Sequence, residues 1–300
     1  IYFSNVNFNS RSGPNSFGSR LASELTKLGH NIVTSNKENY DCCLCFIEPN
    51  LSIGKNKRFV LRLDGIWFKP DQFVTHNKNI KWAYDNCDHV IWQSNFDKKM
   101  TQKWWGKKNG SVIPNGIFLE NKQVLHPEIK KIKEQYEKIF VCAANWHRQK
   151  RLKENIAFFL KNSSKKDVLL VLGSNPDHIV KDNRVFYLGN IPHDLCLQIY
   201  SISDWFIHLA WLDHCPNVVV EAISQGCPVV CTDSGGTHEI VKSNGIVLKE
   251  QKEYNFELAD YDNPYSLDIP EVDLKKIEIE NDYLDIKKIA IEYEKVLRGE

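Results

Sequence analysis

Two carboxylates, Asp213 and Glu221, stand eight positions apart in the segment DHCPNVVVEA. Pro216 suits the first turn of a helix and Gly226 suits a left-handed helix end, so we predict a helix beginning near Pro216. The backbone N–H groups of residues 217–219 would then be unpaired and could bind a diphosphate. Carboxylates accept hydrogen bonds from paired hydroxyls, so the two acids could flank a ribose or a hexose.

The three valines of the same segment favour a strand when they are taken alone. A hairpin that turns at SQGC is therefore the alternative to a helix. The apolar runs DWFIHLA and CPVVCTD on either side of the segment are predicted to be neighbouring parallel strands. Parallel neighbours need a crossover connection, which is usually helical, so the helix is favoured.

Positive charge for a diphosphate is available in NWHRQKRLKEN, where Arg148 and Lys150 fall in a predicted strand-to-helix loop. Arginine offers a planar fork to phosphate oxygens, and lysine offers a mobile point charge. A solvated helix face is the alternative interpretation. Two further loops carry glycines that would let the backbone approach a ligand: Gly235 and Gly236 in DSGGTHEIV, and Gly13 ahead of Pro14 in SRSGPNSFGSRL.

These residues must be positioned by strands and helices. Along the chain, apolar runs of four to eight residues alternate with amphipathic or polar stretches. This pattern predicts an α/β fold with parallel sheets. We expect two Rossmann-like domains facing each other across a cleft, with ligands at the carboxyl ends of the strands. The predicted boundaries are 1–120 for the N-terminal domain, 121–138 for a linker, 139–280 for the C-terminal domain, and 281–300 for a C-terminal helix that could pack across either domain, including back on the N-terminal one.

Composition narrows the class of protein. The 300 residues exceed one usual core, and a formal net charge of +1 gives no reason to expect nucleic acid or an anionic membrane as the main partner. Nine cysteines without a framework spacing suggest thiols that act as small core residues in a reducing compartment. No apolar segment is long enough to span a membrane, so the cytoplasm is the expected location.

The ordered motifs NWHRQKRLKE, VIPNGI and HLAWLDHCPNVVVEAISQGCPVVCTDSGGTHEIV together resemble the family-4 retaining glycosyltransferases of GT-B fold. The likeness covers most of residues 110–248, and it is weaker in the first domain. It implies transfer of a hexose from a nucleoside diphosphate sugar to an acceptor hydroxyl, with retained anomeric configuration and without a metal or other cofactor.

The resemblance also assigns roles to residues. Glu221 would hold the ribose hydroxyls, and Asp213, which stands where the family has a glutamate, would contact the donor sugar. Arg148 and Lys150 would bind the diphosphate, with His147 as an alternative to the arginine. The remaining predicted donor contacts come from backbone or small residues: Gly13, Gly189, Asn190, Pro216, Asn217 and Val218.

Asp64, at the predicted end of the strand in LRLDGIWF, stands where many relatives have a histidine. It could meet an acceptor hydroxyl or simply cap its loop, whereas His208 is interpreted as a core histidine. The aromatic cluster of Trp67, Phe68, Trp82, Trp104 and Trp105 is compatible with core packing, with stacking on a sugar or with peripheral membrane contact.

The predicted partners are thus a nucleotide sugar donor and an acceptor, which could be a glycan, a lipid-linked sugar or a protein. Three other functions remain open for the same sequence: a sugar-nucleotide epimerase, a phosphorylase and a non-catalytic nucleotide-sugar-binding module.

Overall fold

The structure is a computed structural model and describes residues 1–10, 12–49, 53, 57–119 and 124–300. The chain divides into two compact units. The first consists of Ile1–Phe118, Asn255–Ala259 and Asp282–Glu300, and the second of Leu119–Tyr254 and Asp260–Asn281. Two parallel sheets with alternating helices make this the two-domain, Rossmann-like α/β architecture that the sequence predicts.

The first unit contains a five-stranded parallel sheet whose strands lie in chain order. Its strands are β1 (Tyr2–Ser4), β2 (Cys42–Phe46), β3 (Arg58–Leu63), β4 (His89–Trp92) and β5 (Gly110–Val112). Its helices are α1 (Gly13–Lys27), α2 (Phe73–His76), α3 (Lys78–Asn86), α4 (Asn95–Trp105) and the C-terminal α10 (Ile286–Arg298), which a 3₁₀ turn at Asp282–Leu284 precedes. The short run NIVTS, residues 31–35, which the sequence pattern predicts as a strand, forms only a single bridge, between Val33 and Tyr2.

Helix α10 closes the core of the first unit. Its apolar stripe, with Ile289 and Tyr293 fully buried, lies against the stripe of α1 that contains Phe17 and Leu21. The rings of Phe17 and Tyr293 are 5.7 Å apart between centroids. The backbone also joins α10 to the sheet side, because the N–H of Ile286 donates to the carbonyl of Ile117.

The second unit contains a six-stranded parallel sheet in the order β11-β10-β9-β6-β7-β8. The strands are β6 (Ile139–Ala143), β7 (Val168–Leu172), β8 (Val185–Gly189), β9 (Trp205–His208), β10 (Val229–Thr232) and β11 (Gly245–Leu248). The helices are α5 (Pro127–Gln135), α6 (Leu152–Asn162), α7 (His193–Ile202), α8 (Asn217–Ser224) and α9 (Thr237–Val241), and a 3₁₀ turn spans Arg148–Lys150.

This strand order reverses direction at β6, which pairs with β7 on one side and β9 on the other. The chain therefore leaves the carboxyl ends of β6 and β9 toward opposite faces of the sheet. In open parallel sheets such a switch point leaves a crevice between neighbouring loops, where ligands bind. The two loops concerned here are those that carry Lys150 and Asp213.

Most of the predicted linker, 121–138, belongs to the second unit, where α5 lies. Residues 121–123, at its start, lie outside the described residues. Residues 249–281 form no helix or strand, but Leu267 is buried and Ile269 and Leu274 pack against the core of this unit.

All nine cysteines are free thiols, and eight of them are buried. Burial raises the pKa of Cys43 to about 12, and burial also raises the pKa of Cys142. The prediction that the thiols serve as small core residues is confirmed. Among the described residues, no helix is both long and apolar enough to cross a membrane.

Candidate donor site

The segment with the two carboxylates folds as predicted, with α8 at Asn217–Ser224. Pro216 is its extended N-cap residue, and Gly226 has a φ of +81°, the left-handed conformation expected after a helix. Val219 and Val220 are buried in α8, so tertiary packing outweighs the weak helix preference of β-branched residues. The alternative hairpin at SQGC is wrong, because β10 pairs in parallel with β9.

One detail of the helix start differs from the prediction. The N–H of Val219, which we expected to be unpaired, donates to the carbonyl of Pro216 at 3.1 Å. The N–H of Val220 shares the same carbonyl at 3.3 Å. A tight first turn of this kind uses an i to i−3 bond and withdraws one donor from any ligand. Asn217 and Val218, both half-buried, remain the backbone candidates at this helix start.

Asp213 lies at the centre of a charged cluster. Its Oδ2 is 2.5 Å from Lys150 Nζ and 3.0 Å from His208 Nε2. Burial alone would raise the pKa of Asp213, but the charge of Lys150 and the hydrogen bond from His208 outweigh it and hold that pKa well below its ordinary range. Asp213 is therefore an ionised carboxylate with two fixed partners.

Hydrogen bonds to backbone carbonyls hold the two loops of this cluster together. The N–H of Trp211 donates to the carbonyl of Gln149 at 2.8 Å, and Gln149 Nε2 donates to the carbonyl of Leu212 at 3.4 Å. Leu212 has a φ of +54°, which turns the chain sharply just before Asp213. Lys150 and Asp213 thus face each other because their loops are bonded to one another, not only because their charges attract.

Gly235 supports Asp213 from the next loop. The N–H of Gly236 donates to the carbonyl of Asp213 at 2.7 Å. A Cβ at position 235 would lie 2.4 Å from that carbonyl oxygen and 2.7 Å from the backbone nitrogen of Asp213, and Gly235 has a φ of +73°. The glycine pair noticed in the sequence therefore lets this loop approach the backbone of Asp213.

The predicted cations occupy different environments. Arg148 is exposed, and its Nη1 donates to Asn263 Oδ1 at 3.2 Å. His147, the alternative to Arg148, has a pKa lowered by burial and by the nearby charge of Lys150. Arg151 is fully buried and forms two hydrogen bonds with Glu250, of 2.6 and 3.1 Å. Of these four residues, Lys150 is the one bonded to Asp213.

Glu221 lies in the second turn of α8, and its side chain is 11% exposed. Its Oε1 is 3.0 Å from Nε2 of His193, the first residue of α7. The carboxyl end of β8 precedes α7, and there Gly189 has a φ of +64° and Asn190 is exposed. The predicted ribose and base contacts are thus in the same unit as Lys150 and Asp213.

The predicted residues of the first unit lie at the carboxyl edge of its own sheet. Gly13 is the first residue of α1, which follows β1. Asp64 follows β3 and is ion-paired with Arg62, a fully buried arginine. Arg62 also donates to Asn115 Oδ1 at 2.6 Å, and Asn115 donates to Gln93 Oε1 at 3.1 Å. The carboxylate of Asp64 therefore rests on a buried polar network that connects the ends of β3, β4 and β5.

The aromatic cluster of the first unit is only partly core. Phe68 is buried, whereas Trp67 and Trp82 are 43% and 49% exposed. Trp104 is half-buried and donates from Nε1 to the carbonyl of Phe256 at 3.0 Å.

Three features of the site were not expected from the sequence: the His193–Glu221 bond, the His208–Asp213 bond and the Arg151–Glu250 pair. His208 is a buried, satisfied core histidine, as predicted, but its partner is a predicted ligand of the donor sugar. His208 ends an apolar strand, and Asp213 follows it by five residues. This spacing could have suggested the contact. The partners of His193 and Arg151 are 28 and 99 residues away, and no local pattern indicates them.

Comparison with known proteins concerns the family and the fold. Residues 126–257 match the family described as "Glycosyl transferases group 1". The whole chain superposes on the Anabaena protein HepE in complex with UDP-glucose, with a TM-score of 0.66, 14% identity and coverage of 100% of this chain and 99% of that one. Sucrose-phosphate synthase from Thermosynechococcus elongatus superposes with a TM-score of 0.64 and 15% identity over 96% of this chain and 82% of that one.

Relatives in sequence match part of the chain. The phosphatidylinositol N-acetylglucosaminyltransferase gpi3 subunit of Schizosaccharomyces pombe is 26% identical over 57% of this chain and 40% of its own length. The N-acetyl-alpha-D-glucosaminyl L-malate synthase of Bacillus anthracis is 25% identical over 45% of this chain and 39% of its own length. The matched region thus spans about two fifths of each of these relatives. The predicted resemblance to glycosyltransferases is confirmed: residues 126–257 match the group 1 glycosyltransferase family, and the chain has the GT-B fold.

Proposed function

We propose that this protein is a retaining glycosyltransferase that moves a hexose from a nucleoside diphosphate sugar to an acceptor hydroxyl without a resident metal. The observation that carries the proposal is the Lys150–Asp213 pair at the switch point of the second sheet. Both residues lie in the segment that matches the group 1 glycosyltransferase family. A lysine held at the carboxyl edge of a parallel sheet, beside the start of α8, suits an anionic leaving group.

In this proposal Lys150 and Arg148 bind the diphosphate, together with backbone N–H groups at the start of α8. As the bond between the sugar C1 and the diphosphate oxygen breaks, negative charge grows on the leaving group. Positioned donors and cations stabilise such developing charge. Asp213 keeps Lys150 in place, and on binding it would exchange part of this contact for a hydroxyl of the donor sugar.

The new bond forms between the acceptor oxygen and C1. Attack from the same face as the departing diphosphate retains the anomeric configuration, and a phosphate oxygen of the leaving group takes the acceptor proton. Asp64 is proposed to accept a hydrogen bond from the acceptor hydroxyl, and Gly13 to approach the donor phosphates. Gly189 and Asn190 are proposed to contact the base through their backbone, and Glu221 to hold the ribose.

The names of the relatives suggest the donors to examine first. HepE is described in complex with UDP-glucose, and the two sequence relatives are named for N-acetylglucosaminyl transfer. UDP-glucose and UDP-N-acetylglucosamine are therefore the first candidates for this chain. We also propose a cytoplasmic location, which suits nine free thiols, and leave the acceptor class to the experiment.

The test is release of UDP from each donor, with and without a panel of glycan, lipid-linked and peptide acceptors, in the presence of EDTA. We expect acceptor-dependent release that EDTA leaves unchanged and a product whose anomeric proton shows retention by NMR. Lys150→Ala should lower kcat by about 100- to 1,000-fold, as loss of one preorganised donor does elsewhere. Lys153→Ala, which removes an exposed lysine three positions away, should leave kcat unchanged.

Other outcomes would identify other functions. Conversion of the donor sugar without an acceptor would indicate an epimerase, and dependence on inorganic phosphate would indicate a phosphorylase. Binding of UDP with no turnover for any acceptor in the panel would favour a binding module. Equal activity of the Lys150→Ala and Lys153→Ala variants would contradict the assigned role of Lys150.

A further inference from the structure

A second carboxylate of the donor site is held by a histidine that no part of the proposed reaction uses. His193 begins α7, Glu221 lies in α8, and Nε2 of the one is 3.0 Å from Oε1 of the other. A carboxylate oxygen accepts, so Nε2 carries the proton in this hydrogen bond. The two helices pack against each other, so the contact joins two neighbouring elements of the second unit.

The exposure of the two side chains is unequal. The imidazole of His193 is 49% exposed, whereas the side chain of Glu221 is 11% exposed. An exposed ion pair on a helix surface adds little to stability and needs no further role. Here, however, the acid is nearly buried, and its Oε1 is fixed from the side of α7. Within the described part of the chain, no side chain or N–H group donates to its other oxygen, Oε2.

A glutamate that must bind two vicinal hydroxyls needs a fixed carboxylate plane, because its three side-chain torsions otherwise cost entropy on binding. The bond from His193 supplies that constraint before the ligand arrives. The hydrogen bond from His193 goes to Oε1 and leaves Oε2 of Glu221 as an acceptor. Nearby Cys196 and Tyr200, on the same face of α7, lie close enough to Glu221 for its charge to raise the pKa of each, after the larger effect of burial.

We infer that His193 is a positioning residue for the ribose of the donor. It orients the carboxylate of Glu221, which accepts hydrogen bonds from the 2′- and 3′-hydroxyls of a nucleoside diphosphate. The inference rests on the proposed function, because it assumes that this unit binds such a ligand. It adds that recognition of the ribose depends on His193, which lies in none of the sequence motifs that resemble glycosyltransferases.

The experiment compares UDP with 2′,3′-dideoxy-UDP as ligands, using titration calorimetry on the full chain. The wild type should bind UDP at least about tenfold more tightly than the dideoxy analogue, the size of one or two good hydrogen bonds. His193→Ala should weaken UDP binding by about tenfold and leave binding of the dideoxy analogue unchanged. His193→Gln, whose side-chain amide can place an N–H near the position of Nε2, should restore most of the affinity for UDP.

Asp194→Asn is the matched control, because Asp194 is the next residue of α7 and is exposed. It should bind both ligands as the wild type does. If His193→Ala weakened both ligands equally, or neither, the inference would be overturned while the proposed function stood. If the wild type bound neither UDP, GDP nor ADP, the proposed function would fail and this inference with it.

Discussion

Lys150 and His208 share one oxygen of Asp213, with Nζ at 2.5 Å and Nε2 at 3.0 Å from Oδ2. The side chains of Lys150 and Asp213 are 20% and 13% exposed, so water screens their attraction only in part. Removal of either charge leaves the other partly buried without its counter-charge. This arrangement explains how a lysine with four methylenes can be held at one point of the candidate donor site before any ligand binds.

The first prediction concerns the coupling of this pair. Lys150→Met and Asp213→Asn should each lower the free energy of unfolding by about 1.5–3 kcal/mol, the usual contribution of hydrogen bonds to charged groups. The double variant should lose less than the sum of the two, because the second substitution removes a group that the first has already left unpaired. Urea denaturation of the four proteins measures this. Additive losses would show that the contact is not energetically coupled.

The second prediction compares two glycines, both with positive φ. At Gly235 a Cβ would collide with the backbone of Asp213, whereas at Gly226 nothing lies within 4 Å of it. Gly226→Ala should therefore cost only the strain of the left-handed conformation, about 1–2 kcal/mol. Gly235→Ala should cost more, and it should also weaken UDP binding by displacing Asp213. Similar unfolding midpoints for the two variants would contradict the role given to Gly235.

The sequence predicts those parts of the site that are determined by residues close together in the chain. Local signals in the sequence predict the start of α8, the loops with Lys150 and Gly235, and the strands that carry these loops. These signals are a proline before a helix, glycines in turns and apolar runs of strand length. The sequence overstates the run NIVTS, whose two apolar residues, Ile32 and Val33, are adjacent, because only Val33 reaches a neighbouring strand.

Local signals in the sequence do not predict the contacts between side chains. The sequence suggests Asp213 as a sugar ligand, yet its bonds to Lys150 and His208 depend on the order in which β6 and β9 pair. Arg151 belongs to the basic run NWHRQKRLKEN, and the structure buries it against Glu250. Such pairs form because the fold brings residues from distant loops together, and composition or spacing does not encode which cation meets which acid.

The third prediction concerns pH. Burial lowers the pKa of His208, and the bond to Asp213 only partly opposes this. The unfolded chain takes up a proton at this histidine near pH 6.5, while the folded chain stays neutral until a lower pH. Folding stability should therefore be complete above pH 6.5 and fall as the pH drops below it, by at most about 1.4 kcal/mol per pH unit for this one group.

His208→Gln provides the check, because an amide can still donate to Asp213 but does not titrate. Urea midpoints measured from pH 8 to pH 5 should fall less steeply in this variant than in the wild type. The carboxylate of Asp213, whose pKa is held well below its ordinary range, should not contribute to the change in this interval. Parallel curves for the two proteins would show that His208 takes up its proton equally in the folded and unfolded chain.

The fourth prediction separates structure from binding in the basic loop. Arg151 and Glu250 are 0% and 4% exposed, and Arg151 also donates to the carbonyl of Tyr265 at 2.7 Å. Arg151→Met leaves a buried carboxylate without its partner, which should cost about 3–5 kcal/mol of unfolding free energy. Arg151→Met combined with Glu250→Leu should recover much of that loss, because apolar side chains can replace a buried ion pair. Because the guanidinium of Arg151 is bonded to Glu250, the folded double variant should bind UDP as tightly as the wild type, whereas the Lys150→Ala variant should bind it more weakly. Loss of UDP binding by a folded double variant would instead place Arg151 among the phosphate ligands.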